Sequence, residues 1–172
     1  FRAEEWPEVV KTAAGIMTDN NLVAACTLIT GLPQETEEDV IRTIELIEEL
    51  EDFKSLIVPL FYVAMGAMRD RTESFTLEKM KPLHGELFLD CWEHNLHWGK
   101  VLLKEYSVTS KLGVSYGARL VLSYAMKKAE KLIQICRKQY DCDVKAMVND
   151  VRNGKLQITP RPIKILQRMI GH

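Results

Sequence analysis

Residues 28–39, Leu-Ile-Thr-Gly-Leu-Pro-Gln-Glu-Thr-Glu-Glu-Asp, join an apolar segment to an acidic one. The apolar segment, residues 22–30, is rich in Val, Leu, Ile and Thr and alternates loosely, which is typical of a buried strand. Gly31 and Pro33 follow at once, and these residue types turn the chain. The stretch therefore predicts a strand that ends in a tight turn.

The acidic half of this stretch carries the start signals of a helix. Thr36 and Asp39 have the spacing of a capping box, and the carboxylates around them complement the positive end of a helix dipole. Apolar residues then recur at helical spacing and give one face to bury: Val40, Ile41, Ile44, Ile47 and Leu50. A second apolar run covers residues 56–63. The order predicts a strand, a helix and a second strand.

Residues 31–39 also resemble a segment of the radical S-adenosylmethionine (SAM) enzymes, in the form typical of their cobalamin-binding and methylthiotransferase branches. In that family a strand leads to Gly-x-Pro-x-Glu-Thr and an amphipathic helix follows. The next strand carries a Pro and then an aromatic residue before a loop with Gly, as Pro59, Phe61 and Gly66 do here. The resemblance covers residues 22–66.

The resemblance implies that these are late strands of a partial (β/α) barrel, whose C-terminal edge holds the adenosyl part of SAM. Gly31 would permit close approach of the backbone to the ligand, Pro33 would fix the turn, and Gln34 or Glu35 would hydrogen-bond to the adenosine. The residues implied to bind the cofactor are Gly31, Leu32, Pro33, Gln34, Glu35, Pro59 and Tyr62.

The chain departs from the family in its cysteines. The family's Cys-x3-Cys-x2-Cys, which supplies three thiolates to a [4Fe-4S] cluster, does not occur, and Cys26, Cys91, Cys136 and Cys142 are scattered. After the second strand the chain has Gly66-Ala67-Met68 where relatives often have Gly-Thr. The chain begins at Phe1, without Met. We therefore expect the C-terminal portion of a longer enzyme, with the cluster ligands and any cobalamin domain outside this chain and no metal ligand within it.

The implied chemistry is that of radical SAM enzymes: a cluster and SAM together drive hydrogen abstraction, methylation, or formation of C–C or C–S bonds. We expect the chain alone to be inactive and its main partner to be the N-terminal remainder of the same polypeptide. A small molecule or a lipid is the expected kind of substrate.

Composition indicates a folded, soluble protein. The chain has 172 residues, of which 47% are hydrophobic and 27% charged, and its net charge is −1. It has no apolar run of membrane-spanning length and no signal peptide, and unclustered cysteines suit a reducing cytoplasm. From Lys127 onward, the sequence contains eleven Lys or Arg but only four Asp or Glu. Because the helical ones alternate with apolar residues, we interpret them as a solvated helix face and expect no nucleic acid partner.

The rest of the layout follows from periodicity and breakers. Pro7 suits the first turn of a helix that ends near residue 18. Helices are predicted over residues 76–106, 113–140, 144–151 and 162–170, with one weak strand at 156–159. The predicted fold class is α/β plus all-α, divided into residues 1–75, the barrel part, and residues 76–172, a helical C-terminal domain.

Alternative interpretations remain open at this point. The first is a non-enzymatic helical interaction module in which residues 31–36 form only a turn. A second is a serine hydrolase, because Gly113-x-Ser115-x-Gly117 has the form of a nucleophile elbow, with Asp141 or Asp143 and His172 in the expected order. Cys91, His94 and His97, spaced three apart, are possible metal ligands. The helix that carries them is apolar around much of its circumference, which predicts that it packs between the barrel and the C-terminal helices or, as an alternative, walls a lipid pocket.

Overall fold

A computed structural model of the chain describes residues 5–66, 69, 72–109 and 116–156. These residues form a mixed α/β fold of five α-helices and a two-stranded parallel sheet. The elements are α1 (Trp6–Asp19), β1 (Ala24–Thr30), α2 (Glu37–Glu49), β2 (Ser55–Phe61), α3 (Pro82–Thr109), α4 (Tyr116–Tyr140) and α5 (Val144–Arg152), with a 3-10 turn at Leu77–Lys79. Among the helices described, none has the length and apolarity needed to cross a membrane. The mixed α/β prediction is confirmed, and a barrel stays a prediction.

The strand–helix–strand unit forms as predicted. Strands β1 and β2 pair in parallel, in register from Ala24↔Ser55 to Thr30↔Phe61, with α2 as the crossover. The capping box at the start of α2 is present: the backbone N–H of Thr36 donates to Asp39 Oδ2 at 2.8 Å, and that of Asp39 donates to Thr36 Oγ1 at 3.2 Å. The Thr36 hydroxyl also donates to Asp39 Oδ2 at 2.7 Å, and this bond, together with that from the Thr36 backbone N–H, lowers the pKa of Asp39.

The two faces of the sheet have different surroundings. One face packs into a core that joins the first three helices to the sheet, formed by Ala14, Val40, Ile47, Leu50, Ile57, Leu87 and Cys91. The opposite face is apolar but exposed: Ile29 is 55% exposed, and Val58 and Leu60 are each 44% exposed. A parallel sheet is usually covered on both faces, so we expect further protein to pack on this one.

A side chain of α3 occupies the outer edge of β2. Asn95 Oδ1 accepts from the backbone N–H of Ile57 at 2.7 Å, and Asn95 Nδ2 donates to the Ile57 carbonyl at 2.6 Å. Backbone groups two residues apart on a strand face the same edge, so Pro59 also lies along this edge, where its missing N–H removes no ladder bond. The β2 edge is therefore closed to another strand at this point.

Helix α3 packs between the sheet unit and the C-terminal helices, as its apolar circumference predicts. On one side it contributes Leu87 and Cys91 to the first core. On the other, Leu89 and Leu96 form a second core with Ile133 and Cys136 of α4. The predicted division near residue 75 stays a prediction, and α3 contributes to the cores on both sides.

Arg137 belongs to the basic residues predicted to form a solvated helix face, but it is partly buried. Its guanidinium forms ion pairs with Asp90 and, at 2.9 Å, with Glu93 of α3. Arg137 therefore joins α4 to α3 in a partly buried contact, whereas Lys131 and Lys138 are exposed as expected.

Element boundaries differ from the predictions where a breaker intervenes. Helix α3 begins at Pro82 and not at Thr76, because Pro fixes φ and lacks the N–H that an interior helix position needs. Only the short 3-10 turn forms before it. Gly113 and Gly117 also suggest, from sequence, a close approach of two helices. No atom of the described residues lies within 4 Å of the position of a Cβ on Gly117, so none is seen there, and Gly113 lies outside the described residues.

Candidate functional site: the carboxyl edge of the sheet

The loop after β1 is held by the carboxylate of Glu35. Glu35 Oε2 accepts from the Gly31 backbone N–H at 2.8 Å, and the Thr30 hydroxyl donates to the same carboxylate at 3.1 Å. The Glu35 backbone N–H closes the turn on the Leu32 carbonyl at 3.0 Å. The side chain of Glu35 is 11% exposed. Glu35 thus fixes the path of the loop from within.

His84 of α3 completes this anchor. His84 Nε2 lies 3.2 Å from Glu35 Oε2, and His84 Nδ1 accepts from the Lys81 backbone N–H at 3.3 Å. Because Nδ1 acts as an acceptor, we assign the proton of the neutral ring to Nε2, which donates to Glu35. The ring also packs against Phe75, with centroids 5.0 Å apart.

Gly31 is in close contact with Phe75. Its φ of +82° lies in the left-handed region that favours glycine, and a Cβ on Gly31 would come within 2.1 Å of the Phe75 ring. The close approach that the sequence assigned to a ligand at Gly31 is therefore made here by an aromatic side chain. The Phe75 ring packs directly against the loop at Gly31.

The segment after β2 extends the same edge. The Tyr62 backbone N–H donates to the Thr30 carbonyl at 2.9 Å, which carries the parallel ladder one residue beyond the strands. Residues 72–75 return alongside, since the Phe75 N–H donates to the Tyr62 carbonyl at 2.9 Å and the Ser74 hydroxyl accepts from the Ala64 N–H at 3.0 Å. The Tyr62 hydroxyl lies 3.0 Å from that of Thr72.

Two neighbouring cavities open at this edge. The smaller, of about 250 Å³, lies over the β1 loop, and the larger, of about 710 Å³, lies beyond the end of β2. Glu73 and Lys79 line both cavities and pair with each other at 2.6 Å. The larger cavity also has Gly66, whose φ is +58° and around whose Cβ position there is open space. Its volume is in the range of small-molecule sites.

The structure brings together only part of the predicted set of site residues. Gly31, Leu32, Pro33 and Glu35 line the smaller cavity. Gln34 is exposed on the same loop. The remaining two are not among the described residues that line either cavity: Pro59 lies within β2, and the backbone of Tyr62 hydrogen-bonds to Thr30 and Phe75.

Sequence reasoning missed Phe75, His84 and the Glu73–Lys79 pair. All four lie outside the matched segment. His84 reaches the loop because α3 packs against α2 and β2, whereas Phe75 does so because its own segment hydrogen-bonds to Tyr62 and Ala64. No local pattern in the sequence signals their positions.

The two buried cysteines, Cys91 and Cys136, lack the properties of iron–sulfur ligands. Burial raises the pKa of the Cys91 thiol to about 12 and that of Cys136 to about 11, so both are protonated at neutral pH. Within the described part of the chain, no three His, Cys, Asp or Glu residues are grouped as metal ligands, and Cys91, His94 and His97 are not brought together. The described residues therefore do not fit a cluster.

His94 has a structural partner instead. Its Nε2 lies 2.9 Å from the hydroxyl of Ser55, which in turn lies 3.1 Å from the Phe53 carbonyl. Burial lowers the pKa of His94. The serine hydrolase interpretation rests on Gly113, Ser115 and His172, which lie outside the described residues, as do the strand predicted at 156–159, beyond Leu156, and the helix at 162–170.

No protein-family model matches the chain, and no curated protein or solved structure is significantly similar to it.

Proposed function

We propose that the chain is part of a radical SAM enzyme and that the carboxyl edge of β1 and β2 binds the adenosyl part of SAM. The observation that carries the proposal is the position of the Gly31–Glu35 loop. It lies beside the segment after β2, around two adjoining cavities at the carboxyl ends of parallel strands. In α/β folds this edge is where ligands bind.

The chain's own residues would bind and orient the adenosyl group. The loop residues Leu32 and Pro33 offer apolar surface, and Gln34 offers an exposed amide. Glu35 would act as a positioning residue, because its carboxylate is already engaged by the loop and by His84. Beyond β2, Gly66 leaves the larger cavity open for the ligand.

The cluster would need thiolates from outside the described residues, since the described cysteines do not fit it. A reduced cluster held there would supply the electron that cleaves SAM into methionine and a 5′-deoxyadenosyl radical, the species that abstracts hydrogen in this family. Cobalamin, if the enzyme uses it, would also be held outside this chain.

The two edges of the sheet support a late position in a barrel. Asn95 and Pro59 close the outer edge of β2, so earlier strands would add at the free edge of β1. The exposed apolar face of the sheet would then be covered by the remainder of the same polypeptide.

Calorimetric titration with SAM and with 5′-deoxyadenosine tests this proposal on the chain itself. Both ligands should bind, because they share the adenosyl group, whereas methionine should not. Hydrogen exchange should slow at residues 31–35 and 62–66. Absence of binding at millimolar ligand, or protection confined to other residues, would contradict the proposal.

A further inference from the structure

A basic pocket of about 240 Å³ lies between α3 and α4, near the end of the helical hairpin. Its charged lining consists of Lys100 and Lys104 from α3 and Arg119 and Lys127 from α4. No acidic residue is among the described residues that line it. A cavity with such a lining suits an anion.

Most of this positive charge is unpaired. Lys100 forms an ion pair with Glu130, but within the described part of the chain no carboxylate pairs with Lys104, Arg119 or Lys127. These three side chains are exposed. The cations are thus available to a ligand and are not used to join the two helices.

The same turns of α4 expose apolar side chains. Leu120 is 55% exposed, Val121 59% and Leu122 42%, and Tyr106 at the end of α3 is 55% exposed. Successive residues of an α-helix lie about 100° apart, so the three side chains of α4 surround that helix at its first turns and do not form a single face. Exposed apolar groups on several sides of a helix suit a phase that can surround it. Together with Lys104, Arg119 and Lys127 they form the hairpin tip.

We infer that the hairpin tip docks on an anionic membrane surface, with a lipid phosphate in the basic pocket and the apolar side chains in the headgroup layer. A lipid interface uses both kinds of residue at once, since cations pair with headgroups while apolar side chains insert beside them. RNA would use the cations but leave the aliphatic side chains in water. A second copy would bring like charges together. This inference is independent of the adenosyl site.

The test is sedimentation of the chain with vesicles of phosphatidylcholine, with and without phosphatidylglycerol. The wild type should bind the anionic vesicles, and binding should weaken with salt. The triple variant Lys104→Gln, Arg119→Gln, Lys127→Gln should bind more than about tenfold more weakly. Leu120→Gln with Leu122→Gln should also weaken binding, because the apolar contact is lost.

A matched control removes the same charge elsewhere on the surface. Lys131→Gln, Lys138→Gln and Arg152→Gln change exposed cations away from the pocket and should leave vesicle binding within about twofold. All these side chains are exposed, so circular dichroism should show unchanged folding.

Several outcomes would overturn the inference. One is failure of the wild type to bind anionic vesicles, and another is an equal loss of vesicle binding in both triple variants. A third is binding of inorganic phosphate or an RNA oligonucleotide in preference to vesicles. Self-association through the tip, abolished by Leu120→Gln with Leu122→Gln, would also overturn it.

Discussion

Glu35 shows how one carboxylate can organise a candidate site without binding a ligand. It accepts hydrogen bonds from Thr30 and Gly31 on its own loop, and His84 reaches it from α3. Charge-assisted bonds of this kind are stronger than neutral ones. The loop path therefore depends on a contact between residues 49 positions apart.

Gly31→Ala should destabilise the protein for two reasons. A side chain at φ +82° is strained, which costs about 1–3 kcal/mol, and the new Cβ would overlap the Phe75 ring. We expect a loss of more than about 2 kcal/mol in urea unfolding. Because Phe75 lies against Gly31, this variant tests the packing of the loop as well as any role in ligand binding.

Gly154→Ala is the control for strain alone. Gly154 has φ +71°, but its Cβ position faces open space. The loss should be about 1 kcal/mol. Equal losses in the two variants would show that Phe75 does not restrict Gly31.

His94 predicts a pH dependence of stability. Burial lowers its pKa, so the unfolded state, whose imidazole titrates near about pH 6.5, binds the proton more readily. The contribution of neutral His94 to the free energy of unfolding is complete above that pH and is lost as the pH falls below it. Ser55 accepts from Nε2, and Nδ1 is buried with no partner in the described structure, so a second ring proton would have no acceptor.

The measurement is the unfolding midpoint of wild type and His94→Gln between pH 8 and pH 5. The difference in unfolding midpoint between wild type and His94→Gln should become smaller as the pH falls. The neighbours that interact electrostatically with His94, His97 and Glu51, are present in both proteins and cancel in the comparison. A gap that stayed constant would mean that His94 is not held neutral.

At the scale of elements, local signals predicted the N-terminal unit well. The capping box of Thr36 and Asp39 uses bonds three residues apart, and the apolar run before Gly31 is long enough to define a strand. His84 could not be predicted, because its place depends on how α3 packs, and Phe75 could not, because its place depends on hydrogen bonds between its segment and the residues after β2. The same holds for Asn95.

Asn95→Leu should destabilise the β2 edge. It removes both partners of the Ile57 backbone, and each unsatisfied buried group costs about 1–3 kcal/mol. We expect a loss of about 2–4 kcal/mol in urea unfolding. Gln134→Leu, on an exposed position of α4, is the control and should change stability by less than about 0.5 kcal/mol. Equal effects would indicate that the edge bonds contribute little.

At the scale of the whole molecule, the uncovered sheet face predicts self-association of the isolated chain. Ile29, Val58 and Leu60 present apolar surface beside the free edge of β1. Sedimentation velocity should show association that increases with concentration. Val58→Thr with Leu60→Thr places a polar residue of high strand propensity at both positions and should reduce it. A stable monomer over a wide concentration range would contradict the prediction.

The central claim is the adenosyl site, and Gly66 offers its most direct measurement. Gly66→Asn adds a side chain to the larger cavity at a left-handed φ that Asn tolerates, in space that no atom of the described residues fills. Gly154→Asn makes the same change at a similar φ beyond α5, away from the cavities. Affinity for 5′-deoxyadenosine, measured by calorimetry, should fall more than tenfold in Gly66→Asn, about 1.4 kcal/mol or more, and stay at the wild-type value in Gly154→Asn. Equal affinity in all three proteins would contradict the account.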